Sequence, residues 1–223
     1  MLTHHSLQFL RNLEQNNNRE WFHANRKDYE QTKDEFENLC QEILTGIAKF
    51  QENLLNTSVK SCILRINRDM RFSADKSPYK KYVAAGFGPG GKSSGKVDFY
   101  LHIQPNNESF LGGGMWASTS TQLTSFRQEI DYSPHILKGI IEADTFRNYF
   151  NEIHGEKVKK MPKGYSVDHP DIELLKYKQL FFVHKYTDVV VTDKSFAVEV
   201  VNGCRILKPY LDYMNNLFYG DEN

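Results

Sequence analysis

Tyr29, Phe36, Leu39, Ile43, Ile47 and Phe50 recur at steps of three, four and seven. That spacing draws one apolar stripe along a long helix, and the chain must bury the stripe against something else. The helix is predicted to end between Lys49 and Asn53. Beyond it the period changes to two. Val59–Ile66 (VKSCILRI) and Val97–Gln104 (VDFYLHIQ) alternate as half-buried strands do, and Ser109–Trp116 reads as a third strand distorted by Gly112, Gly113 and Gly114. A helical layer followed by antiparallel-capable strands restricts the chain to an α+β fold. The expectation is a mainly antiparallel sheet packed against the long N-terminal helix and against C-terminal helices.

The remaining segments fill in that frame. Leu2, Leu7, Phe9, Leu10 and Leu13 fit a short helix ending in the Asn16-Asn17-Asn18 turn, with a second helical stretch from about Arg19. Thr119–Ile130 is helical in composition, with Thr119 or Ser120 as its N-cap. Ser133–Glu142 and Asp144–His154 read as two further helices, Gly155–Asp168 as a polar, turn-rich segment, and Pro170–Lys176 as a short helix. Gln179–Thr187 reads as a strand and Lys194–Leu217 as mostly helix. Without a repeat, a low-complexity tract or a clear linker, residues 1–223 are expected to form one domain. Its helical layer spans about 1–54, and its sheet and helices about 55–219.

Charge then narrows the function classes. Lys plus Arg and Asp plus Glu both number 28 in 223 residues, so attraction to an anion must come from local clustering rather than from net charge. Cys40, Cys62 and Cys204 are scattered and odd in number, which suits reduced, buried thiols and a cytoplasmic location. No apolar run approaches a membrane span, and the start lacks a signal-peptide core.

The local cluster is Arg65 to Lys81, RINRDMRFSADKSPYKK, where six basic side chains meet only two acids. On a strand Arg65 shares a face with Asn67 while Ile66 points away, after which the pattern becomes irregular. Arg68 and Arg71 supply forks for bidentate contact with phosphate or carboxylate, and Lys76, Lys80 and Lys81 supply mobile point charges. Asp69 and Asp75 would orient the guanidinium groups, act as acid/base groups or ligate a metal. Ser77-Pro78 resembles an N-cap and the first residue of a helical turn. Ser73 and Ser77 lie among the cations with no base assigned to either. A plain row of surface ion pairs is the alternative.

Other motifs weigh less. Gly90 to Lys96 has the GxxxxGK spacing of a phosphate-binding loop, but Val97 stands where a Ser or Thr should follow. A strand also follows where a helix is needed, so a flexible hairpin loop is the better reading. His102 and His184 lie in predicted strands. There is no HExxH, HxH or paired Cys/His cluster, which leaves no transition-metal site to propose and no cofactor to name.

The run RDMRFSADKSPYKK resembles the RDxRFSxDKSPYK signature of an uncharacterised bacterial family, a domain of unknown function. FLRNLEQNNNREWFHANRKDYE resembles that family's L-x-x-N-N-x-R-x-W-F region. GGGMW, the helix containing Arg127, PKGYSVDHP and LLKYKQL resemble further family segments. The resemblance implies a compact α+β fold and a site, but no reaction. It points to Arg68, Asp69, Arg71, Asp75, Lys76, Tyr79 and Lys80, and outside the signature to Trp21, Phe22, Arg127, Lys163, Asp168, His169 and Lys178. Trp21 and Phe22 suit the core better than a site. Arg127 either reaches an anion at its helix start or pairs with Asp131. Asp168 and His169 are types used for proton transfer, although Asp168 also suits capping of the helix begun by Pro170.

The expected function is anion or phosphate binding by Arg65, Arg68, Arg71, Lys76, Lys80, Arg127 and Lys163. Asp69 or His169 would be the acid/base group if the chain is an enzyme, and Asp75, Tyr79, Asp168 and Lys178 would support the site. The ligand would be a phosphate-containing small molecule or nucleic acid. A non-catalytic module that binds nucleic acid or protein, with Phe72, Tyr79 or Tyr82 stacking on bases, is one alternative. A buried Arg–Asp network without a site is another.

Overall fold

The computed structural model describes residues 1–71 and 74–220, so Phe72 and Ser73 lie outside the described residues. The fold is mixed α and β, with an antiparallel sheet of strand order β1 (Val83–Phe87), β2 (Phe99–Ile103), β3 (Ser109–Met115), β5 (Leu180–Tyr186), β4 (Glu152–His154). Chain contacts divide it into two compact units. The first holds Met1–Ser94, Tyr100–Leu111 and Lys185–Cys204; the second holds Gly95–Phe99, Gly112–His184 and Arg205–Asn223. Among the described residues no helix is long and apolar enough to cross a membrane.

In the first unit the apolar stripe builds α3 (Arg26–Ala48), which buries Phe36, Leu39, Ile43 and Ile47. It packs on α1 (His4–Gln15), whose Leu7, Phe9, Leu10 and Leu13 face inward, with α2 (Arg19–Ala24) between them in sequence. Asn18 caps α2, its side chain accepting from the Trp21 N–H. Glu35 fastens the start of α1 to α3 by accepting from the Thr3 N–H at 2.9 Å and the Ser6 hydroxyl at 2.6 Å. Burial alone raises this carboxyl, but the hydrogen bonds from Ser6, Gln31 and Thr3 together hold it below its ordinary value.

One expectation for the sheet region needs correction. Val59–Ile66 is not a strand. Val59–Cys62 forms a single helical turn, α4, and only Ile63 makes an isolated antiparallel bridge, to Ala85. The turn follows Ser58, whose carbonyl accepts from Ser61 Oγ at 2.6 Å, a local bond that competes with strand pairing. The partner strand, β1 (Val83–Phe87), is buried at every position. VAAGF therefore carries no alternation to read. β2 (Phe99–Ile103) and β3 (Ser109–Met115) match the predicted strands and are joined through Asn106 and Asn107, both left-handed at φ 68° and 63°. The Asp188 carboxylate, at the start of α9 (Asp188–Val191), accepts from both of their N–H groups.

The second unit contains α5 (Ser120–Tyr132), α6 (Pro134–Ile141), α7 (Asp144–Tyr149) and α8 (Ile172–Leu175). Thr119 is the N-cap of α5 and forms a capping box with Gln122. Asp144–His154 is not one helix. α7 ends at Tyr149, and Glu152–His154 becomes β4, pairing antiparallel with β5 (Leu180–Tyr186). Asp168 does not cap α8; that position belongs to Asp171. The C-terminal part of α10 (Phe196–Tyr219) lies over the glycine run of β3. A Cβ on Gly113 would come within 3.0 Å of Leu207 and Leu211, and one on Gly114 within 2.3 Å of the Leu180 carbonyl oxygen. That carbonyl accepts the buried Tyr210 hydroxyl at 2.6 Å.

The glycines give a paired prediction. Gly114 has φ +135° and no room for a side chain, so Gly114→Ala should lower unfolding free energy by roughly 2–3 kcal/mol. Gly139 sits in α6 with open space around its Cβ position, so Gly139→Ala should raise it by about 0.5–1 kcal/mol. Denaturant titration of both variants checks the pair.

Candidate functional site

The signature segment folds as a short antiparallel pairing closed by a loop. The Arg68 N–H donates to the Pro78 carbonyl at 2.9 Å and the Lys80 N–H to the Ile66 carbonyl at 2.8 Å, flanking an Asn67–Tyr79 bridge. Ile66 and Tyr79 are buried, whereas Arg65 and Asn67 are exposed, as strand alternation predicts. The Asn17 side chain acts as a further strand partner. Its amide donates to the Tyr79 carbonyl at 2.9 Å and accepts from the Tyr79 N–H at 3.1 Å. Phe22 then stacks on the Tyr79 ring at 3.9 Å and 14°. Phe22 is core, while Trp21 is half-buried against Phe9 at 5.9 Å.

Inside the loop, acids take up the cations. Asp69 accepts from the Arg71 backbone N–H, Nε and Nη2, the last at 2.6 Å. Asp75 pairs with Arg68 and also accepts from the Ser77 N–H at 2.8 Å and hydroxyl at 2.7 Å. This Asx-type turn replaces the helical turn expected at Ser77-Pro78, which are not helical. Lys76 Nζ donates to the Met70 carbonyl at 3.1 Å and Lys80 Nζ to the Arg65 carbonyl at 2.6 Å. The pairs are not buried: the Arg71 side chain is 76% exposed and that of Asp75 59%.

These side chains border a cavity of about 570 Å³. Glu14 and Asn17 come from the N-terminal helices and their turn. Arg68, Asp69, Asp75 and Ser77 come from the loop, and Tyr79, Lys80, Lys81 and Tyr82 from its return. Glu14 and Asn17 escaped sequence reading because the Asn run signals only a turn. Glu14 accepts from Lys81 at 2.6 Å. Lys80 is therefore the cation of the lining without a carboxylate partner among the described residues. Burial, and then the charges of Arg65 and Lys92, push its ammonium below the ordinary lysine range.

Both loop carboxylates are held in their charged form by hydrogen bonds. Arg71 hydrogen bonds hold Asp69 below the usual carboxylate range. The Ser77 hydroxyl and N–H, with Arg68, hold Asp75 well below it. Ser77 thus has a carboxylate partner, Asp75. No group of three or more His, Cys, Asp or Glu among the described residues could hold a metal ion.

Arg127, Lys163, Asp168, His169 and Lys178 belong to the second unit. Arg127 Nε donates to the Leu175 carbonyl at 3.0 Å rather than pairing with Asp131. Asp131 instead lies 3.1 Å from His169 Nε2, and His169 Nδ1 accepts from the Asp171 N–H at 3.0 Å. Both imidazole nitrogens are thus engaged, which selects the Nε2–H tautomer. Lys178 pairs with Glu156, and Lys163 and Asp168 are exposed in the turn-rich segment. The loop of 88–94 packs its Gly91 on Ser61 without leading into a helix, as the hairpin reading expects.

Behind Tyr82 lies His102 of β2, at 4.1 Å between ring centroids. Burial lowers the His102 pKa to about 4, against a hydrogen bond with Gln104 that acts the other way.

Two predictions follow from these environments. Exposed pairs contribute little, so Arg71→Ala should stay folded with a chemical-denaturation midpoint close to that of wild type. A loss of several kcal/mol would instead mark a buried network. For His102 the folded value lies below the ordinary 6.5, so the unfolded chain binds more protons between those values. Stability from the neutral ring is complete above about pH 6.5 and lost progressively as pH falls toward 4, by up to roughly 3 kcal/mol. The difference between wild type and His102→Gln in denaturant midpoint, followed across that window, reads this contribution.

No curated protein and no solved structure matches the chain. A family profile does, over residues 5–213, which takes in every side chain of the cavity. The chain belongs to the family of conserved hypothetical proteins DUF2461.

Proposed function

We propose that the protein binds a phosphate-containing small molecule in the signature cavity, with Lys80 meeting the anion. The observation that carries this reading is the position of Lys80. It lines a cavity of about 570 Å³, has no carboxylate partner among the described residues, and is crowded by Arg65 and Lys92. An anion against its ammonium offsets that repulsion and forms charge-assisted hydrogen bonds. Arg68 lines the same cavity with its guanidinium held by Asp75, so it is a second donor already fixed in place. The reading is one of binding. Asp69 and Asp75 are ionised and engaged with Arg71, Ser77 and Arg68, which suits orientation rather than proton transfer.

A scaffold role for the same side chains is the second reading, favoured by the Arg68–Asp75 and Arg71–Asp69 pairs themselves. Calorimetric titration with ribose 5-phosphate at low salt separates the two. Binding by wild type that weakens with salt, and about tenfold or more in Lys80→Met, is the expected result. Wild type that takes up no heat, or a Lys80→Met variant binding equally well, leaves only the scaffold.

A further inference from the structure

The cavity has an aromatic wall that phosphate alone does not use. Tyr82 lines it, and its ring packs on His102 at 4.1 Å. His102 stacks on Phe110 at 4.7 Å and 10°, and Tyr100 sits 5.8 Å from Phe110 with its hydroxyl 3.3 Å from His102 Nδ1. Tyr82 is thereby held from behind by a continuous row of rings. Its ring orientation is set before any ligand arrives, which reduces the ordering cost of stacking on it. The Lys80 ammonium lies 6.0 Å from the Tyr82 ring centroid. The cation and the ring are thus neighbours in one cavity, with the ammonium over the ring.

We propose that the ligand is a nucleotide, its 5′-phosphate at Lys80 and Arg68 and its base stacked on Tyr82. This rests on the phosphate reading above and adds the base to it. Stacking is tolerant of base identity, because every base has a π-face. The wall therefore selects nucleotides from other phosphate esters without choosing strongly among the bases. His102 keeps its part of the wall uncharged at neutral pH, since burial holds the ring in its neutral form. Asn17 and Ser77 border the same space.

The test compares adenosine 5′-monophosphate, cytidine 5′-monophosphate and ribose 5-phosphate as calorimetric titrants of the full chain. Both nucleotides should bind about tenfold or more tightly than ribose 5-phosphate. Tyr82→Leu should bring them down to the ribose 5-phosphate affinity, while Tyr82→Phe keeps the difference. Upfield shifts of the adenine C2 and C8 protons on binding, lost in Tyr82→Leu, report the stack directly. Equal affinity for ribose 5-phosphate and nucleotide overturns the nucleotide assignment and leaves the phosphate reading standing. Absence of binding by all three overturns both. If Tyr82→Leu unfolds, the Tyr82→Phe comparison and the wild-type proton shifts decide: no upfield shift on nucleotide binding rejects stacking.

Discussion

The side chain of Asn17 replaces a missing strand for Tyr79, and the site is built around that contact. Tyr79 is buried, so its N–H and carbonyl each need a partner, and the Asn17 amide supplies both at 3.1 and 2.9 Å. Stacked on the Tyr79 ring is Phe22, four residues beyond Asn18, the cap of α2. The turn, the helix cap and the ring stack together place the return of the signature loop against the N-terminal helices. Lys81, two residues past Tyr79, then reaches Glu14. Residues 14–22 and 65–82 are far apart in sequence but form one physical object.

Charge is settled within that object rather than by the protein at large. Six cations and two acids between Arg65 and Lys81 suggest a strongly positive loop. Folding brings Glu14 to Lys81, ties Arg68 to Asp75 and Arg71 to Asp69, and turns Lys76 onto a backbone carbonyl. What remains is narrower than the count of charges implies. It is a positive focus at Lys80, with Arg65 and Lys92 nearby and a cavity in front of it. A focus of this kind is what the proposed binding of one anionic group would use, where a basic face would suit general attraction to polyanions.

The parts of the fold legible in the sequence are those where one face meets solvent. The α3 stripe, the alternation of β2 and the Thr119–Gln122 cap each leave a periodic or local signal. β1 is buried throughout and leaves none, and a Ser58–Ser61 bond turns the alternating VKSC into a helical turn. β4 is three residues long and gains its identity only by pairing with β5. The site divides in the same way. Its cations are visible as residue types, whereas the pairings that neutralise most of them depend on loop geometry. Asn17 and Glu14 become site residues only through contacts more than sixty residues away in sequence.

The loop's ion pairs raise a question of cause, because they stabilise the protein little. Arg71 is 76% exposed and Asp75 59%, a regime in which a pair contributes little. Their effect is instead on freedom of movement. Asp75 holds Ser77 and Arg68 together, and Asp69 grips Arg71 through both backbone and side chain, which limits the freedom of those side chains. Restricting Arg68 before a ligand arrives removes part of the rotamer entropy that binding would otherwise cost. Ordering Arg68 beside the cavity is thus the part of these weak pairs that the proposed anion binding would use.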